Sequence, residues 1–348
     1  MCVLTGEDLR RAGVTSIPEA LRLVPGVQVA RIDANKWAVS ARGFNGRFAQ
    51  KLLVLVDGRS AYTPLFSGVY WESQDVLLED VDRIEVIRGP GATLWGANAV
   101  NGVINVITRP AGDTHGSLVS VATGTEERAA AAVRYGGRLG ARGHGRAYLK
   151  AFARDGQAID GRDSDADAWD VLRAGFRADW DLPGEATATL QGDAYDGSAG
   201  ATYNSVLLVP PYSREYQADA SLRGANLLAR WRGPAAAGEA TLQAYGDWTD
   251  RDEPVLTERR GTYDLDLQHR LSVGPGRELI WGLGYRYTHD RTRGSLSASF
   301  DPASRGTSLF SGFLQGDVRL ADDRLHLSAG TKLEHSAYTG FEYQPGAR

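Results

Sequence analysis

The chain has 348 residues, enough for two or three ordinary domains or for one large β-barrel with an additional domain. Its 39 Lys and Arg residues against 43 Asp and Glu residues give a net charge of -4, which excludes a general affinity for nucleic acid. The single cysteine, Cys2, excludes an internal disulfide framework and a cysteine-rich metal site. No apolar stretch reaches the length of a transmembrane helix, about 20 residues, so only strands could cross a membrane here.

Two short helices are predicted at the amino-terminal end. Thr5 with Asp8 three residues later forms an N-cap pattern, and Gly13 ends the first helix. Ser16 and Glu19 have the spacing of a capping box at the start of the second helix. The first residues lack the apolar core of a secretory signal, which leaves two interpretations: the protein is not exported, or the beginning of its sequence is missing.

Short strands follow these helices. Residues 27–30, 38–41 and 52–56 are predicted strands, and the last is continuously apolar, as a buried strand would be. The loop over residues 62–74 carries a heavy aromatic load, so it is either packed or used for contact. A brief helical turn is predicted at residues 77–83.

A glycine-shaped stretch closes this first part at residues 81–110. Two predicted strands, residues 84–88 and 103–108, flank a connection that contains Gly91 and Gly96. These two glycines have the spacing of a phosphate-binding loop, but Ala97-Asn98 stands where that loop needs lysine and a hydroxyl residue. Leu94 likewise occupies the third glycine position of a dinucleotide motif, so the glycines are interpreted as turn residues.

From Gly116 onward the chain alternates strand-like runs with turns. About eleven strands are predicted, each with one apolar and one polar face, as in residues 263–273. Connections are short after even strands and longer after most odd ones, including residues 196–220 and 251–256, which is the asymmetry of outer-membrane barrels. Trp180, Trp231 and Trp281 lie beside short turns and fit an aromatic girdle. The alternative is a soluble β-sandwich.

Four motifs in the first part carry a resemblance to a known family. They are PGV at residues 25–27, ARGF at 41–44, VLVDGR at 54–59 and VDRIEVIRGPGATLWGANAVNGVINVIT at 81–108. In this order and spacing they resemble the plug domain of TonB-dependent outer-membrane receptors.

The resemblance implies an α+β plug domain followed by a transmembrane antiparallel β-barrel. The plug would comprise residues 1–112 and the first portion of the barrel residues 113–348. A plug of about 110 residues needs a wide lumen, and plugged transporters have about 22 strands, so the barrel is expected to be incomplete here, with about eleven strands. The signal peptide, the TonB box and the rest of the barrel are expected to be missing.

The function implied is that of a receptor and gated active transporter in the outer membrane of a Gram-negative cell. A scarce ligand, for which a ferric siderophore is favoured, would bind on the outer side. TonB, with its inner-membrane energising complex, would supply the energy. Cobalamin or haem uptake by the same family, a passive channel and an adhesin are alternatives. The expected partners are TonB, outer-membrane lipid and the small-molecule ligand, with no nucleic acid.

The resemblance also implies two sets of site residues. Arg42 and Arg88 match the family's arginines that pair with barrel glutamates and hold the plug. The candidates for ligand binding at the plug apex are Asn35, Lys36, Phe44, Asn45, Arg47, Phe48, Tyr62, Phe66, Tyr70 and Trp71. For each of these, ordinary packing between plug and barrel is an equal alternative.

No pattern indicates an enzyme, a cofactor or a resident metal. The motifs HExxH and GxSxG are absent from the sequence. The six histidines show no paired ligand spacing, and they are His115, His144, His269, His289, His326 and His335. The acidic run at residues 160–167 is interpreted as a solvated external loop rather than a calcium site.

Overall fold

The computed structural model describes residues 1–49, 51–89, 100–157, 165–320 and 325–347. They form a small mixed unit, here called the plug, and one twelve-stranded antiparallel sheet, here called the wall. The plug elements are β1 (Cys2–Thr5), α1 (Gly6–Ala12), α2 (Ile17–Leu21), β2 (Val27–Asp33), β3 (Lys36–Ala41), β4 (Leu52–Val56), β5 (Arg59–Ser60), β6 (Val81–Arg88) and β7 (Gly102–Thr108).

Both predicted helix starts are present. The Thr5 hydroxyl accepts a hydrogen bond from the Asp8 backbone N–H, and the Asp8 carboxylate accepts one from the Thr5 N–H at 2.9 Å, which is a complete capping box. Gly13 then ends α1 in the left-handed conformation, at φ 64°. The Ser16 hydroxyl caps α2 by accepting from the Glu19 N–H. These local signals act within one helical turn, which is why sequence alone locates them.

The plug sheet has the order β1-β6-β7-β4-β5, with β4 and β7 parallel, and β2 and β3 form a separate hairpin. Strand β6 begins at Val81, earlier than predicted, because the expected helical turn is only the 3₁₀ helix Leu78–Asp80. The glycine-rich segment between β6 and β7, including Gly91, Gly96 and the Ala97-Asn98 pair, lies outside the described residues.

The wall strands follow one another in chain order, each antiparallel to the next. They are β8 (Gly116–Ala122), β9 (Ala129–Arg138), β10 (Gly143–Arg154), β11 (Trp169–Asp181), β12 (Thr187–Val206), β13 (Ser213–Ala235), β14 (Gly238–Asp252), β15 (Leu256–Gly274), β16 (Arg277–Gly294), β17 (Ser304–Leu320), β18 (Leu325–Ser336) and β19 (Gly340–Ala347). Within the described ranges the edge strands β8 and β19 do not pair with each other, so the sheet is open.

The structure corrects two details of the predicted wall. Strands β12 and β13 continue far into the predicted loop at residues 196–220, where the Asp196–Arg223 ion pair at 2.7 Å and stacked Tyr203 and Tyr216 join them. Polar residues on both faces had hidden this strand pairing. The second correction is the twelfth strand, β19, which was missed because it contains Pro345, a residue tolerated on edge strands.

The two faces of the wall have opposite polarity. Leu265, Leu283 and Phe310 are among the large apolar side chains exposed on the outward face, and charged and polar side chains occupy the inward face. This is the alternation predicted from the sequence for a strand that meets lipid on one side. Among the described residues, no helix has the length and apolar character needed to cross a membrane.

The plug packs against the polar, inward face of the wall. Its apolar core, which includes the fully buried Ile84 and Ile104, extends without a break to a few apolar side chains of the wall. Trp37 of β3 meets Trp169 of β11 edge to face, with ring centroids 5.8 Å apart, and Phe152 of β10 packs on the same tryptophan. The plug is therefore bound to the wall by a shared hydrophobic cluster.

Candidate functional site

Buried ion pairs join the plug to the wall. Asp80, at the end of the 3₁₀ helix before β6, is almost fully buried and pairs with two arginines of neighbouring wall strands. Arg134 of β9 donates to one carboxylate oxygen, and Arg146 Nε of β10 lies 3.0 Å from the other. Because each charge is removed from water, the three groups depend on one another.

Asp57, at the turn after β4, is a second plug residue around which several polar contacts with the wall converge. Its carboxylate accepts hydrogen bonds from the Thr108 N–H and hydroxyl, both at 2.8 Å, and from the Gln191 side chain of β12 at 2.9 Å. Arg177 lies 3.9 Å away, and Arg230 donates to the Asp57 carbonyl oxygen. Asp57 therefore fixes its own turn, the end of β7 and three wall strands together.

The same polarity recurs farther along the interface. Asp75 pairs with Lys150 at 2.7 Å, and Glu72 pairs with Arg251 at 2.9 Å. Other charged contacts between the two units have the opposite sense: Arg59 lies 2.5 Å from Asp247, Arg31 pairs with Glu126, and Arg47 lies 4.0 Å from Glu253. Sequence reasoning did not identify these plug carboxylates, because their basic partners lie on separate wall strands far away in the chain. The excess of basic residues on the inward faces of β9–β11 was the signal that could have revealed them.

An aromatic cluster lies at the outer side of the plug, the side of the longer connections. Phe66 meets both Phe48 and Tyr70 edge to face, each at a centroid distance of 4.8 Å. The Arg251 guanidinium of β14 stacks over the Tyr70 ring at 4.2 Å, and burial raises the Tyr70 pKa above its ordinary value. Arg47 stacks on Phe48 at 5.2 Å. Four of the predicted apex residues therefore form one connected group.

A cleft of about 330 Å³ opens between the plug loop that carries Tyr62 and the inward faces of β14–β19. From the plug it is lined by Ser60, Tyr62, Pro64 and Ser67. Its wall side is formed mostly by hydroxyl-bearing residues near the outer ends of the strands, such as Thr288, Thr307 and Ser336. Sequence reasoning found Tyr62 but missed the wall residues, because only the register between strands brings them together.

Three predicted apex residues are buried. Asn35 donates from its amide to the carbonyl oxygens of Asp167 at 2.9 Å and Gly200 at 2.8 Å. Lys36 is held by the carboxylate of Asp33 and the side-chain oxygen of Asn35, both at 2.8 Å. Trp71 lies in the hydrophobic core. Ligand contact with these side chains would require the plug to move.

Other predicted residues are open to solvent. Phe44 is 81% exposed and Phe48 is 51% exposed, and Asn45 is exposed as well. Phe44 and Phe48 border a pocket of about 170 Å³ on the plug, where the Lys51 ammonium lies 4.4 Å from the Phe44 ring centroid. Both phenylalanine rings keep exposed surface that another molecule could contact.

Arg42 and Arg88 line a single open cleft of about 480 Å³. Arg88 donates to the Pro25 carbonyl oxygen at 2.8 Å, and Arg42 adopts a left-handed backbone conformation at φ 64°. Neither arginine forms an ion pair with a residue that the structure describes. Both guanidinium groups are therefore able to receive a carboxylate.

Two histidines that are distant in sequence meet beside the start of the wall. His115 Nε2 and His144 Nδ1 lie 2.7 Å apart, so one nitrogen donates to the other. Over the described ranges, no group of three or more His, Cys, Asp or Glu side chains could hold a metal ion.

Known proteins resemble the chain in this architecture. Residues 1–103 match the TonB-dependent receptor plug domain. The amino-terminal unit of the chain therefore resembles the plug of TonB-dependent receptors. The vitamin B12 transporter BtuB of Vibrio cholerae is 30% identical over 141 residues, which are 40% of this chain and 23% of that protein. An iron-regulated outer membrane virulence protein of Vibrio cholerae is 36% identical over 133 residues, 37% of this chain and 20% of that protein.

The likeness extends over the wall in a solved structure. The siderophore receptor PirA from Acinetobacter baumannii has a TM-score of 0.75 at 18% identity, over 99% of this chain and 58% of that one. The chain thus spans little more than half the length of that receptor. The predicted fold class is confirmed: a plug domain is followed by an antiparallel wall of the receptor fold. The predicted outer-membrane location is confirmed by these relatives. The matched plug family is made up of transport receptors rather than enzymes.

Proposed function

We propose that the protein is an outer-membrane receptor and gated active transporter, without enzymatic activity, that takes up a scarce ligand. The observation that carries this proposal is the plug seated on the polar face of the wall by buried charges and a shared core. A plug in this position blocks passage along the inward face. A solute can therefore cross only if energy is spent to move part of the plug.

We propose TonB, with its inner-membrane energising complex, as the source of that energy, and outer-membrane lipid as the medium around the wall. The plug match supports TonB as partner. A ferric siderophore is the proposed ligand, in keeping with the siderophore receptor whose fold the chain shares. Cobalamin is a second candidate, supported by the likeness to the vitamin B12 transporter.

We propose that the plug comprises residues 1–112 and the wall residues 113–348, with ligand contact at the outer side of the plug. Phe44, Asn45, Phe48 and Tyr62 are the first contacts in this proposal, because they are exposed or line a cleft. Arg47, Phe66 and Tyr70 support them in the aromatic cluster. Asn35, Lys36 and Trp71 join only after plug movement.

Uptake measurements test the transport proposal. Cells that express the protein would be given a radiolabelled ferric siderophore, with and without TonB. Uptake that depends on TonB is expected. Accumulation that is unaffected by loss of TonB would favour a passive channel, and surface binding of the label without accumulation would favour an adhesin.

We also propose that Arg42 and Arg88 anchor the plug through carboxylates of the barrel. This role is supported by their shared open cleft and by the lack of an ion pair between either guanidinium group and a described residue. Arg42→Ala with Arg88→Ala is expected to loosen the plug and raise the entry of large antibiotics several-fold. The matched control is Arg83→Ala, which removes an arginine that pairs within the plug with Asp82 and Glu85. Antibiotic entry equal to that of the control would contradict the anchoring role.

A further inference from the structure

The cleft beside Tyr62 is lined mostly by hydroxyl groups. Thr262 and Thr288 meet through their hydroxyls at 3.4 Å, and the Thr307 hydroxyl lies 3.5 Å from the Thr288 carbonyl oxygen. These contacts are at the upper limit of hydrogen-bond length, so the hydroxyls can turn to a bound molecule at little cost. The Tyr245 hydroxyl accepts from the Ser60 N–H and keeps its own hydrogen for donation.

The charges in this cleft do not favour an anion. Among the residues that the structure describes, Arg286 is the one arginine that lines the cleft, and it is already paired with Asp264 at 2.8 Å. Glu334 and Glu342 both line the cleft and stand directly opposite each other on β18 and β19. Lys332 lies 3.5 Å from Glu334 and offsets only one of them. A negatively charged ligand would meet these carboxylates, and their repulsion would oppose its binding.

The charges around the neighbouring aromatic cluster are also matched. In the aromatic cluster, Arg251 pairs with Glu72 at 2.9 Å and with Glu253, and Arg47 lies within 4.0 Å of both carboxylates. Two cations therefore face two anions. At the rim of the cleft, Arg305 stacks over Tyr338 at 4.3 Å and adds one exposed cation. Together, the cleft and the aromatic cluster offer hydroxyls and aromatic rings rather than a large excess of positive charge.

We infer that the ligand is an electrically neutral ferric chelate of the trihydroxamate class, rather than the trianion that three catecholates form with ferric iron. Three hydroxamate groups, each with one negative charge, neutralise the ferric ion. Their oxygens accept hydrogen bonds from hydroxyl donors such as Thr288 and Thr307. The rings of Tyr62 and Tyr338 supply apolar faces for the rest of the chelate. This inference rests on the proposed transport function.

Binding to outer-membrane vesicles that contain the protein tests the ligand class. The probes are a neutral ferric trihydroxamate, a trianionic ferric tricatecholate and cyanocobalamin, each at the same ionic strength. We expect the trihydroxamate to bind at least tenfold more tightly than the other two. Tighter binding of the tricatecholate or of cyanocobalamin would overturn the inference. If the tricatecholate or cyanocobalamin were taken up in a TonB-dependent way, the proposed transport function would still hold. If uptake of none of the three probes depended on TonB, both the transport proposal and the ligand inference would be contradicted.

A charge insertion provides a second test in the cleft. Ser336→Lys places a cation in the lining near the outer end of β18, where the side chain is half-buried. The variant is expected to gain roughly fivefold or more in affinity for the tricatecholate and to change trihydroxamate affinity less than threefold. Ser328→Lys, on the same strand and outside the cleft, is the matched control and should leave both affinities unchanged. Equal gains in both variants would show a general charge effect and contradict the site.

Removal of one hydroxyl tests the hydrogen-bond donors. Thr307→Val keeps the side-chain shape and is expected to weaken trihydroxamate binding by roughly two- to tenfold, the value of one hydrogen bond. The circular dichroism spectrum and the amount of protein in the membrane would establish that the variant is folded. Unchanged trihydroxamate affinity in folded Thr307→Val, together with no tricatecholate gain in Ser336→Lys, would overturn the assignment of the cleft.

Discussion

The plug and the wall differ in where they place their apolar side chains. In the plug, apolar residues such as Ile84 and Val54 are buried, and polar residues face outward. In the wall, apolar residues such as Leu265 and Leu283 face outward, and arginines lie inside. The apolar outer face of the wall fits the lipid surroundings proposed for it, whereas water covers the outside of an ordinary domain.

Where the plug contacts the wall, many of the side chains on both sides are charged or polar. The plug presents carboxylates at Asp57, Asp75 and Asp80, and the wall presents the basic side chains that match them. Burial makes each of these contacts sensitive to the loss of one partner, while the intact pairs add specificity for this arrangement. The interface therefore combines buried charge pairs with the shared hydrophobic cluster.

The largest effect is expected at this polar interface. Asp80→Ala leaves Arg134 and Arg146 buried without a countercharge, which should cost about 3–5 kcal/mol. Thermal unfolding of the protein in detergent measures the loss. The adjacent Glu79→Ala removes an exposed carboxylate and serves as control. A fall in stability no larger than that of the control would mean that the interface does not depend on buried charge.

The plug core should respond nearly as strongly. Ile84→Ala removes fully buried methyl and methylene groups and is expected to lower the free energy of unfolding by about 2–5 kcal/mol. Ile32→Ala, on the exposed side of β2, is the control and should change it little. Unfolding in urea measures both free energies. Equal effects of the two substitutions would argue against an ordinary apolar core.

On the outward face of the wall, where apolar side chains are exposed rather than buried, a charged substitution should be destabilising. Leu283 is 58% exposed on the outward face of β16, where a charge would be placed in lipid. Leu283→Arg is expected to destabilise the membrane-inserted protein by about 2–4 kcal/mol, as for an arginine near the middle of the membrane. Leu296→Arg, in the connection after β16, should be neutral because water covers that position. A neutral Leu283→Arg in a refolding assay into lipid vesicles would contradict a lipid-facing surface.

The smallest effect is expected in α1, at the plug surface. Hydrogen bonds from Thr5 hold the pKa of the Asp8 carboxyl below its usual range, so its stabilising contribution is present at neutral pH. It is lost as the pH falls through the lowered pKa, because protonation removes the charge that the folded state favours. Thr5→Ala should therefore cost less than the core substitution, and its cost should shrink in acid. The free energy of unfolding of Thr5→Ala and of the wild type would be measured at several pH values. A difference between them that does not change with pH would contradict the link to Asp8 ionisation.

Sequence reasoning reached much of the fold because local chemistry encodes it. The capping box at Thr5 and Asp8 acts over one helical turn, and wall strands reveal themselves by alternation within a few residues. Prediction failed in β12 and β13, where polar residues occupy both faces and only pairing identifies the strands. Strand β19 was missed because Pro345 and Gly346 resemble a turn when their neighbours are unknown.

The candidate site was less accessible to sequence reasoning. Tyr62, Phe66 and Tyr70 were found from their density in one loop, and the structure joins two of them to Phe48 in the aromatic cluster. The wall side of the cleft was not found, because its hydroxyl residues come from separate strands. Each is an ordinary residue in its own strand, and the register alone sets them around one space.

The sequence by itself determined that this protein has a plug with family motifs and a wall whose strands have one apolar and one polar face. Both are properties of short segments, since turns, caps and alternation depend on near neighbours. Tertiary structure decided which charges meet. Asp80 and Arg134 are far apart in the chain, and pairing of charged side chains depends on atomic distances that only the docked plug and wall define.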